Sequence, residues 1–511
     1  MANEMLWRGE DRIPLKPKTY SVLLYFVQHS QRLVTKEELL ENVWRNVVVD
    51  DELLRGYVRE LRQVLGDNAA APEFIETVVR RGYRFLPQVR KESRTEVPGD
   101  TLEQRAADRH AHDANRSSAP ALTVGVLHSL TGMMAWTESP VVDATLLAID
   151  EINQRGGIRG RKINPIVADG RSDERVFAEK AAELLDNNAV AALFGCWTSA
   201  SRKAVVPVVE AKDGLLLYPV QYEGMEASPN VVYTGAAPNQ QIIPAVRWAE
   251  GFLRARRFFL VGWDSVYSWA AHEIVRDEAT AGGNAVVGEA FLAPDGVNVP
   301  ETVREIVRSE PDVIINSTVG DLNLLYSRVL RAAGVTPQTI PTIYLSVGEA
   351  ELLSLTSSEA AGDYAVWSYF QTIDRPENRA FVERFRARYG SQRVTNDPME
   401  AATIAVNLWA KAMEDAGSEE VAAVRAALGN QVYEAPEGRV NVDRETQHIW
   451  KTTRVGQVRS DNHFDILWSS EKPIRPQPFP ASRPPAEWAS FLADRYKAWG
   501  GRWTAPSRAP R

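Results

Sequence analysis

Short apolar runs alternate with segments of helical period from Thr123 onward. Segments 141–154 and 177–186 have the helical period, and the runs between such segments are mostly apolar. This alternation indicates βαβ units and parallel sheets covered by helices. About 350 residues of it exceed what one open sheet usually holds, so we predict two α/β lobes with a cleft between them. The runs are 123–129, 162–169, 190–195, 214–219, 258–263, 312–317 and 342–346.

A different pattern occupies the first 90 residues. Between positions 54 and 65, aliphatic residues share one stripe of a predicted helix and arginines share another. Segment 74–85 alternates apolar and polar residues before a basic tip, which predicts a β-hairpin. Arginine binds guanine edges or phosphates, although an isolated basic stripe is more often a solvated face. The arginines are Arg55, Arg59 and Arg62 in the helix and Arg80 and Arg81 at the tip.

Two further segments differ from both patterns. Residues 91–120 contain few apolar residues and no period, which indicates a flexible linker. A coil of about 30 residues spans on the order of 30 Å, so it separates two domains without fixing their orientation. In the tail, 481–511, apolar residues recur near helical spacing, and we favour a helix that caps the large domain over one that docks a partner. They are Trp488, Phe491, Leu492, Tyr496 and Trp499.

The composition narrows the class of protein. With 44% hydrophobic and 25% charged residues, the 511-residue chain has the profile of a folded, water-soluble protein. It lacks a run of ~20 apolar residues and a recognisable secretion signal, so we expect a cytoplasmic protein that does not contact a membrane. Its single cysteine, Cys196, excludes an intramolecular disulfide and a multi-cysteine zinc site. We expect no metal, no cofactor and no catalytic residue.

Hydroxyl, amide and aromatic side chains lie where predicted strands end. Thr198 and Ser199 follow one strand and open a helix, where they either cap that helix or offer hydroxyls to a ligand. Tyr218 and Gln221 follow the next strand, either within a buried aromatic corner or beside a small polar solute. Tyr267 comes after a third strand. Because ligands bind at the carboxyl ends of strands in such sheets, we predict that these residues surround one cleft.

The first 90 residues resemble the OmpR/PhoB-type winged-helix domain. Three pieces carry the resemblance in the expected order: 15–44, 54–67 and 76–85. It implies a recognition helix in the major groove of double-stranded DNA and a wing on the DNA backbone. Residues 1–90 contain 14 basic and 13 acidic residues, so we expect affinity to depend on a homodimer at a paired site.

Residues 123–480 resemble the type I periplasmic-binding-protein fold of the amino-acid/amide branch. The likeness is strongest to urea-binding proteins of ABC transporters and to cytoplasmic amide sensors. It implies that Ser199, Tyr218 and Gln221 of one lobe meet Tyr267 and Asp321 of the other around a small polar ligand, urea or a short-chain amide. The matching stretches are 125–132, 150–163, 194–205, 218–224, 233–241, 396–402, 435–440 and 473–480.

The chain departs from these relatives at one part of the cleft. They usually carry a GSDY-type stretch where this chain has residues 262–265, and a Pro-Arg pair where it has Ser268 and Trp269. The ligand within the urea and amide class is therefore left open. The overall fold class is α/β, a two-lobed domain preceded by a small α+β winged helix.

Three functions are compatible with this sequence. The favoured one is a cytoplasmic one-component transcriptional regulator, in which a urea-like or amide ligand in the cleft modulates DNA binding. The first alternative is the noncatalytic solute-binding component of a urea or amide ABC uptake system. The less favoured alternative is a cysteine-dependent amidase, in which Cys196 would be the nucleophile and His128 its base.

Overall fold

The computed structural model divides the chain into two compact units, 1–113 and 114–511. It describes residues 6–8, 11–13, 17–36, 38–39, 58–59, 61–62, 64–68, 71–78, 81–87, 89 and 120–505. Arg55, Arg80 and the predicted linker up to position 119 lie outside these residues.

The N-terminal unit combines helices with two small antiparallel sheets. Its strands are β1 (Leu6–Arg8), β2 (Asp11–Ile13), β3 (Leu33–Thr35), β4 (Ile75–Val78) and β5 (Gly82–Phe85), and its helix α1 is Pro17–Gln28. Strands β1 and β2 form one sheet, and β5 lies between β3 and β4 in the other, so the predicted hairpin is confirmed. Gly82 has a φ of +148°, and a Cβ there would lie 2.1 Å from the Val34 carbonyl oxygen. Only glycine allows β5 to approach β3 this closely.

The same unit is held together by one apolar cluster. Described residues at 58–59, 61–62 and 64–65 are helical, and Val58 and Leu61 pack with Ile75 and Phe85 of the sheet. The aliphatic stripe predicted for this helix therefore faces the core. The opposite face is left to polar residues, as amphipathic helices require.

The larger unit alternates strands and helices as predicted. Its strands are β6 (Leu122–His128), β7 (Ile163–Asp169), β8 (Leu193–Gly195), β9 (Leu216–Tyr218), β10 (Val231–Tyr233), β11 (Arg257–Trp263), β12 (Ala285–Leu292), β13 (Val313–Asn316), β14 (Thr342–Tyr344), β15 (Tyr364–Trp367), β16 (Val432–Ala435), β17 (Gly438–Val442), β18 (Ile449–Trp450), β19 (Arg454–Val458) and β20 (Phe464–Ser469). Its helices are α2 (Ala135–Gln154), α3 (Glu174–Asp186), α4 (Ser199–Ala211), α5 (Ile242–Trp248), α6 (Val266–Ala281), α7 (Val299–Ser309), α8 (Asp321–Ala332), α9 (Glu349–Leu352), α10 (Ser357–Ala360), α11 (Pro376–Tyr389), α12 (Asp397–Ala416), α13 (Val421–Leu428) and α14 (Pro485–Ala498). A 3₁₀-helix spans Pro238–Gln240 and a π-helix spans Ala249–Leu253.

These elements form two lobes, each with its own sheet. The first-lobe sheet has the strand order β10-β9-β8-β6-β7 and is parallel throughout. The second-lobe sheet has the order β12-β11-β13-β14-β15-β19-β20, in which the last two strands run antiparallel. Helices cover both faces, which explains why the strands are apolar along their length. The predicted two-lobed α/β fold is confirmed.

The chain passes between the lobes several times. It leaves the first-lobe sheet after Tyr233, leaves the second after Trp367, and returns to the second at Arg454. Between the last two points, α12 packs on α2 of the first lobe. Helix α14, in the tail that the sequence predicts to cap the large domain, packs on α6 of the second lobe and buries Trp488. The cleft between the lobes is thus formed by distant parts of the chain.

Candidate functional site

A small, partly open cavity lies between the two lobes, at the carboxyl ends of their strands. The centre of a water molecule can occupy a volume of about 20 Å³ within it. One water molecule needs roughly 10–15 Å³ by the same measure, so the cavity suits a very small solute. Its lining residues are Trp197, Thr198, Ser199, Ala200, Val220, Gln221, Trp263, Ser265, Val266, Tyr267, Val319 and Ser346.

The first-lobe wall begins at the N-terminus of α4. Thr198 caps this helix, because its side chain accepts a hydrogen bond from the Ser201 backbone N–H at 3.0 Å. Ser199 donates to the Glu223 carboxylate and accepts from Arg202 Nη1 at 3.2 Å. Both hydroxyl groups lie on the cavity wall and are oriented by the protein itself.

Gln221 joins the two lobes across the cavity. Its Nε2 donates to the Leu345 carbonyl at 3.1 Å and to Ser346 Oγ at 3.4 Å, both in the second lobe. Its Oε1 is buried and has no hydrogen-bond partner among the described residues. Behind it, a Cβ at Gly235 would lie 2.0 Å from the Val220 carbonyl group, so this backbone contact requires glycine.

Tyr267 provides the main polar group on the second-lobe wall. It lies in the first turn of α6, which Ser265 caps. Its hydroxyl is buried near the side chains of Ser346 and Gln221, which lower its pKa, but it makes no hydrogen bond of good geometry within the part of the chain that the structure describes. Burial outweighs these side chains and raises the pKa of Tyr267, so the phenol stays protonated and is able to donate. The cavity therefore contains one unpaired acceptor, Gln221 Oε1, and one unpaired hydroxyl.

A buried charge cluster supports the first-lobe wall. Arg202 is fully buried and contacts Glu223 at 3.0 Å and Glu226 at 2.9 Å. Lys203 lies 3.1 Å from Glu226. Burial alone would raise the pKa of Glu226, but the charges of Arg202 and Lys203 outweigh it and lower the pKa to about 2. The ion pairs of the cluster lie within the protein, and they fix Ser199 through Arg202 and Glu223.

Aromatic rings enclose the guanidinium group of Arg202. It lies 4.8 Å from the Tyr218 ring centroid and 4.5 Å from that of Tyr222. Tyr222 in turn lies 2.5 Å from His448 Nε2, and burial lowers the pKa of His448 to about 4. This neutral imidazole stacks on Tyr233 at 4.1 Å. The aromatic corner is a rigid base beneath the cavity.

The N-terminal unit presents some of its predicted arginines to solvent. Arg59 is exposed on the helical segment, and Arg81 is exposed in the turn between β4 and β5. Arg62 instead donates to the Ile75 carbonyl at 2.6 Å and to Thr77 Oγ1 at 2.9 Å, and it lies 3.6 Å from Asp67. These contacts give Arg62 a part in joining the helix to the sheet.

Comparison with known families accounts for both units. Residues 122–485 match the family described as periplasmic binding protein domain, and residues 9–85 match the family described as transcriptional regulatory protein, C terminal. The first of these matches covers well over half of the chain. The chain belongs to the periplasmic binding protein domain family. Its N-terminal unit carries the OmpR/PhoB-type domain that the sequence predicted.

A solved structure supports the fold of this periplasmic binding protein domain. The solute-binding protein of an ABC transporter from R. palustris, in complex with 4-hydroxybenzoate, has a TM-score of 0.62 and 18% identity. The match covers 69% of this chain and 98% of that one. At this identity the likeness shows the fold alone.

Curated relatives match shorter stretches. Limonene hydroxylase of Geobacillus stearothermophilus is 34% identical over 122 residues, which are 24% of this chain and 22% of that protein. Transcriptional activator CadC of Escherichia coli K12 is 34% identical over 83 residues, 16% of each chain. The chain thus covers less than a quarter of either relative.

Among the described helices, none has the length and apolar character needed to span a bilayer.

The structure separates the predicted ligand residues into two groups. Thr198, Ser199, Gln221 and Tyr267 line the cavity, whereas Tyr218 and Asp321 do not. The Tyr218 hydroxyl donates to the Trp197 carbonyl at 2.6 Å, and the residue supports the wall from below. Asp321 is exposed at the first turn of α8.

Sequence reasoning missed several lining residues. Ser346 follows β14 and Val319 follows β13, so the rule that ligands bind beyond strand ends could have found both. Trp197 and Trp263 are large apolar residues that look like core in the sequence. The rings of Trp197 and Trp263 line the cavity only because the two lobes lie close together in the folded chain.

Proposed function

We propose that this periplasmic binding protein domain is the sensor of a one-component transcriptional regulator. The N-terminal domain binds double-stranded DNA as part of a homodimer, and the cleft binds urea or a short-chain amide. Binding in the cleft shifts the lobes and thereby alters DNA binding. The observation that carries this proposal is the pair of unpaired polar groups, Gln221 Oε1 and the Tyr267 hydroxyl, in a very small cavity.

The chemistry of the cavity favours a neutral ligand. Among the described lining residues, none carries an ionised side chain at neutral pH. A carboxylate ligand would need a cation, because a buried unpaired charge is very costly. The buried guanidinium of Arg202, behind this wall, is already bound to Glu223 and Glu226. This supports a neutral polar solute over a carboxylic acid.

The hydrogen-bonding pattern favours an amide group. An amide or urea N–H donates to Gln221 Oε1, and its carbonyl oxygen accepts from the Tyr267 hydroxyl. An unsatisfied buried group costs about 1–3 kcal/mol, so pairing both groups strongly favours a ligand with this pattern. The small volume of the cavity supports the smallest members of the class.

The proposal of DNA binding is supported by the family match at 9–85 and by the exposed arginines. Arg59 and Arg81 lie on the helix and the hairpin turn that a winged helix presents to DNA. Arg55 and Arg80 belong to the same proposed surface but lie outside the described residues. The Arg62 guanidinium already donates hydrogen bonds to the Ile75 carbonyl and to Thr77 Oγ1, so we expect Arg62 to contribute less to the DNA affinity.

The cysteine chemistry of an amidase is not favoured. Cys196 is fully buried, and burial raises the pKa of its thiol. The reactive form of cysteine is the thiolate, which such an environment suppresses. His128, its proposed base, is itself buried and holds Glu138 at 3.0 Å. These features support a binding domain over a catalytic one.

Calorimetry with the full-length chain tests the ligand class. We expect urea, acetamide or formamide to bind, and benzoate and leucine to give no heat. Tyr267→Phe removes the unpaired cavity hydroxyl, and Tyr326→Phe is the matched control. Tyr326 is also fully buried with an unpaired hydroxyl, but it does not line the cavity. Absence of binding to all three amides, or equal losses in the two variants, would contradict the proposal.

A further inference from the structure

The last described residues of the chain cross the cleft. After α14, the glycines Gly500 and Gly501 adopt φ values of +66° and +77°, which reverse the chain. Residues 502–505 then run from one lobe to the other, and we call them the C-terminal strap.

The strap is bound to the second lobe through its backbone. The Val266 N–H donates to the Trp503 carbonyl at 3.2 Å, and the Ala505 N–H donates to the Asp264 carbonyl at 3.1 Å. Ser265 and Thr504 form an antiparallel bridge between these two hydrogen bonds. The strap thus adds a short extended strand to the loop that precedes α6.

The same segment contacts side chains of the first lobe. The backbone N–H of Trp503 donates to Glu174 Oε2 at 3.3 Å, and Arg502 Nε lies 3.7 Å from Glu174 Oε1. The Lys203 ammonium lies 5.0 Å from the centroid of the Trp503 ring, within range of a cation–π contact. Glu174 begins α3 and Lys203 lies in α4, so both contacts are to rigid helices.

The contacts lie close to the residues that surround the cavity. Ser265 and Val266 line the cavity themselves, and the next residue is Tyr267. On the other side, Lys203 is one helical turn from Ser199, which lines the first-lobe wall. A segment that joins these two walls resists their separation. It also fixes the loop on which the Tyr267 hydroxyl depends.

We propose that the C-terminal strap is a positioning element for ligand binding: Trp503, held by Glu174 and Lys203, keeps the 264–267 loop and the first-lobe wall in the closed arrangement. The part of this inference that concerns ligand affinity rests on the proposed function. The part that concerns lobe closure does not, because it needs only the contacts of the strap. Loss of the strap opens the cleft and weakens ligand binding about tenfold, which corresponds to about 1.4 kcal/mol.

Distance measurements between the lobes test closure directly. The single native cysteine is buried, so nitroxide labels attach selectively to cysteines placed at exposed sites on α3 and α7, Glu179→Cys and Glu305→Cys. Pulsed electron paramagnetic resonance of the full-length chain then gives the distance distribution without ligand. We expect Trp503→Ala to move population to longer distances than in the parent, while Trp503→Phe, which keeps a ring beside Lys203, shifts it less.

Two further variants separate the strap from general effects. Glu174→Gln removes the carboxylate charge without touching the tail, and it should shift the distribution in the same direction as Trp503→Ala. Trp468→Ala is the control, because Trp468 is an exposed tryptophan on β20 of the second lobe. Distance distributions that are the same in the parent, Trp503→Ala and Glu174→Gln would overturn the proposal.

Calorimetry with urea and acetamide adds the binding measurement. If the parent binds either solute, Trp503→Ala should bind it about tenfold more weakly, and an unchanged Kd would overturn the role in ligand binding. If the parent binds neither solute, the proposed ligand class fails, while the distance distributions still decide whether the strap holds the lobes together.

Discussion

Removing the buried cation beneath the cavity should destabilise the large domain. Arg202 is fully buried and contacts Glu223 at 3.0 Å, Glu226 at 2.9 Å and Ser199 at 3.2 Å. Arg202→Met keeps a chain of similar length but leaves two carboxylates without their main cation. Breaking one partner of a buried ion pair costs about 3–5 kcal/mol. Lys203 still lies 3.1 Å from Glu226, so we expect the lower end, about 3 kcal/mol.

Guanidinium-induced unfolding measures this loss, and urea is avoided because it is a proposed ligand. In a domain of this size, about 3 kcal/mol corresponds to a fall in Tm on the order of 5 °C. The control is Arg304→Met, since the ion pair of Arg304 with Glu301 is exposed and should contribute nothing measurable.

A second set of variants tests the cause of the loss. Adding Glu223→Gln and Glu226→Gln to Arg202→Met removes the stranded carboxylates, so part of the stability should return. A single variant as stable as the parent, or a triple variant less stable than the single one, would refute the reasoning. Either result would mean that Arg202 does not neutralise the carboxylates of Glu223 and Glu226 as their 3.0 Å and 2.9 Å separations from it indicate.

Three further predictions concern pH, DNA and the hairpin. The folded-state pKa of Glu226, about 2, lies below its ordinary value of 4.5, so its stabilisation is complete above pH 4.5 and is lost as pH falls toward 2. Guanidinium unfolding between pH 6 and 3 should show this loss, and Glu226→Gln should reduce it. Arg59→Ala should weaken DNA binding and reduce the salt dependence of the Kd without lowering Tm, because Arg59 is exposed. Arg62→Ala should instead lower the Tm of the N-terminal domain, because the Arg62 guanidinium donates to the Ile75 carbonyl. Fluorescence anisotropy and calorimetric melting distinguish the two, and interchanged effects would contradict the assignment. Asp67→Asn should also lower the Tm of the N-terminal domain, because the Asp67 carboxylate accepts hydrogen bonds from the backbone N–H groups of residues 73–75. An unchanged melting curve would contradict this prediction.

The sequence predicted the parallel part of the fold because buried parallel strands are mostly apolar along their length. β6 and β13 are such strands and were found within one or two residues. β12 was missed, since it is a half-buried edge strand with a mixed pattern. The pairing of β15 with β19 was also missed, because residues 364 and 457 pair across almost a hundred positions. Local periodicity contains no information about such long-range partners.

The candidate site was predicted as far as strand ends determine it. Ser199, Gln221 and Tyr267 follow strands and line the cavity. Tyr218 belongs to the same segment as Gln221, but its hydroxyl is used by the Trp197 carbonyl, which only the folded chain reveals. Arg202 was overlooked, because an arginine in an amphipathic helix is usually solvated. Its burial depends on Glu223 and Glu226, more than twenty positions away.

The coupling between the cleft and DNA is the central claim, and one titration tests it most directly. The Kd of the full-length chain for a DNA fragment selected from random sequence is measured by anisotropy, with and without a saturating amide that calorimetry has shown to bind. We predict a change of at least about fivefold, the lower limit of typical allosteric coupling. The change should disappear in Tyr267→Phe, while the DNA affinity of that variant without ligand stays the same. Equal affinities with and without the bound solute would contradict the account.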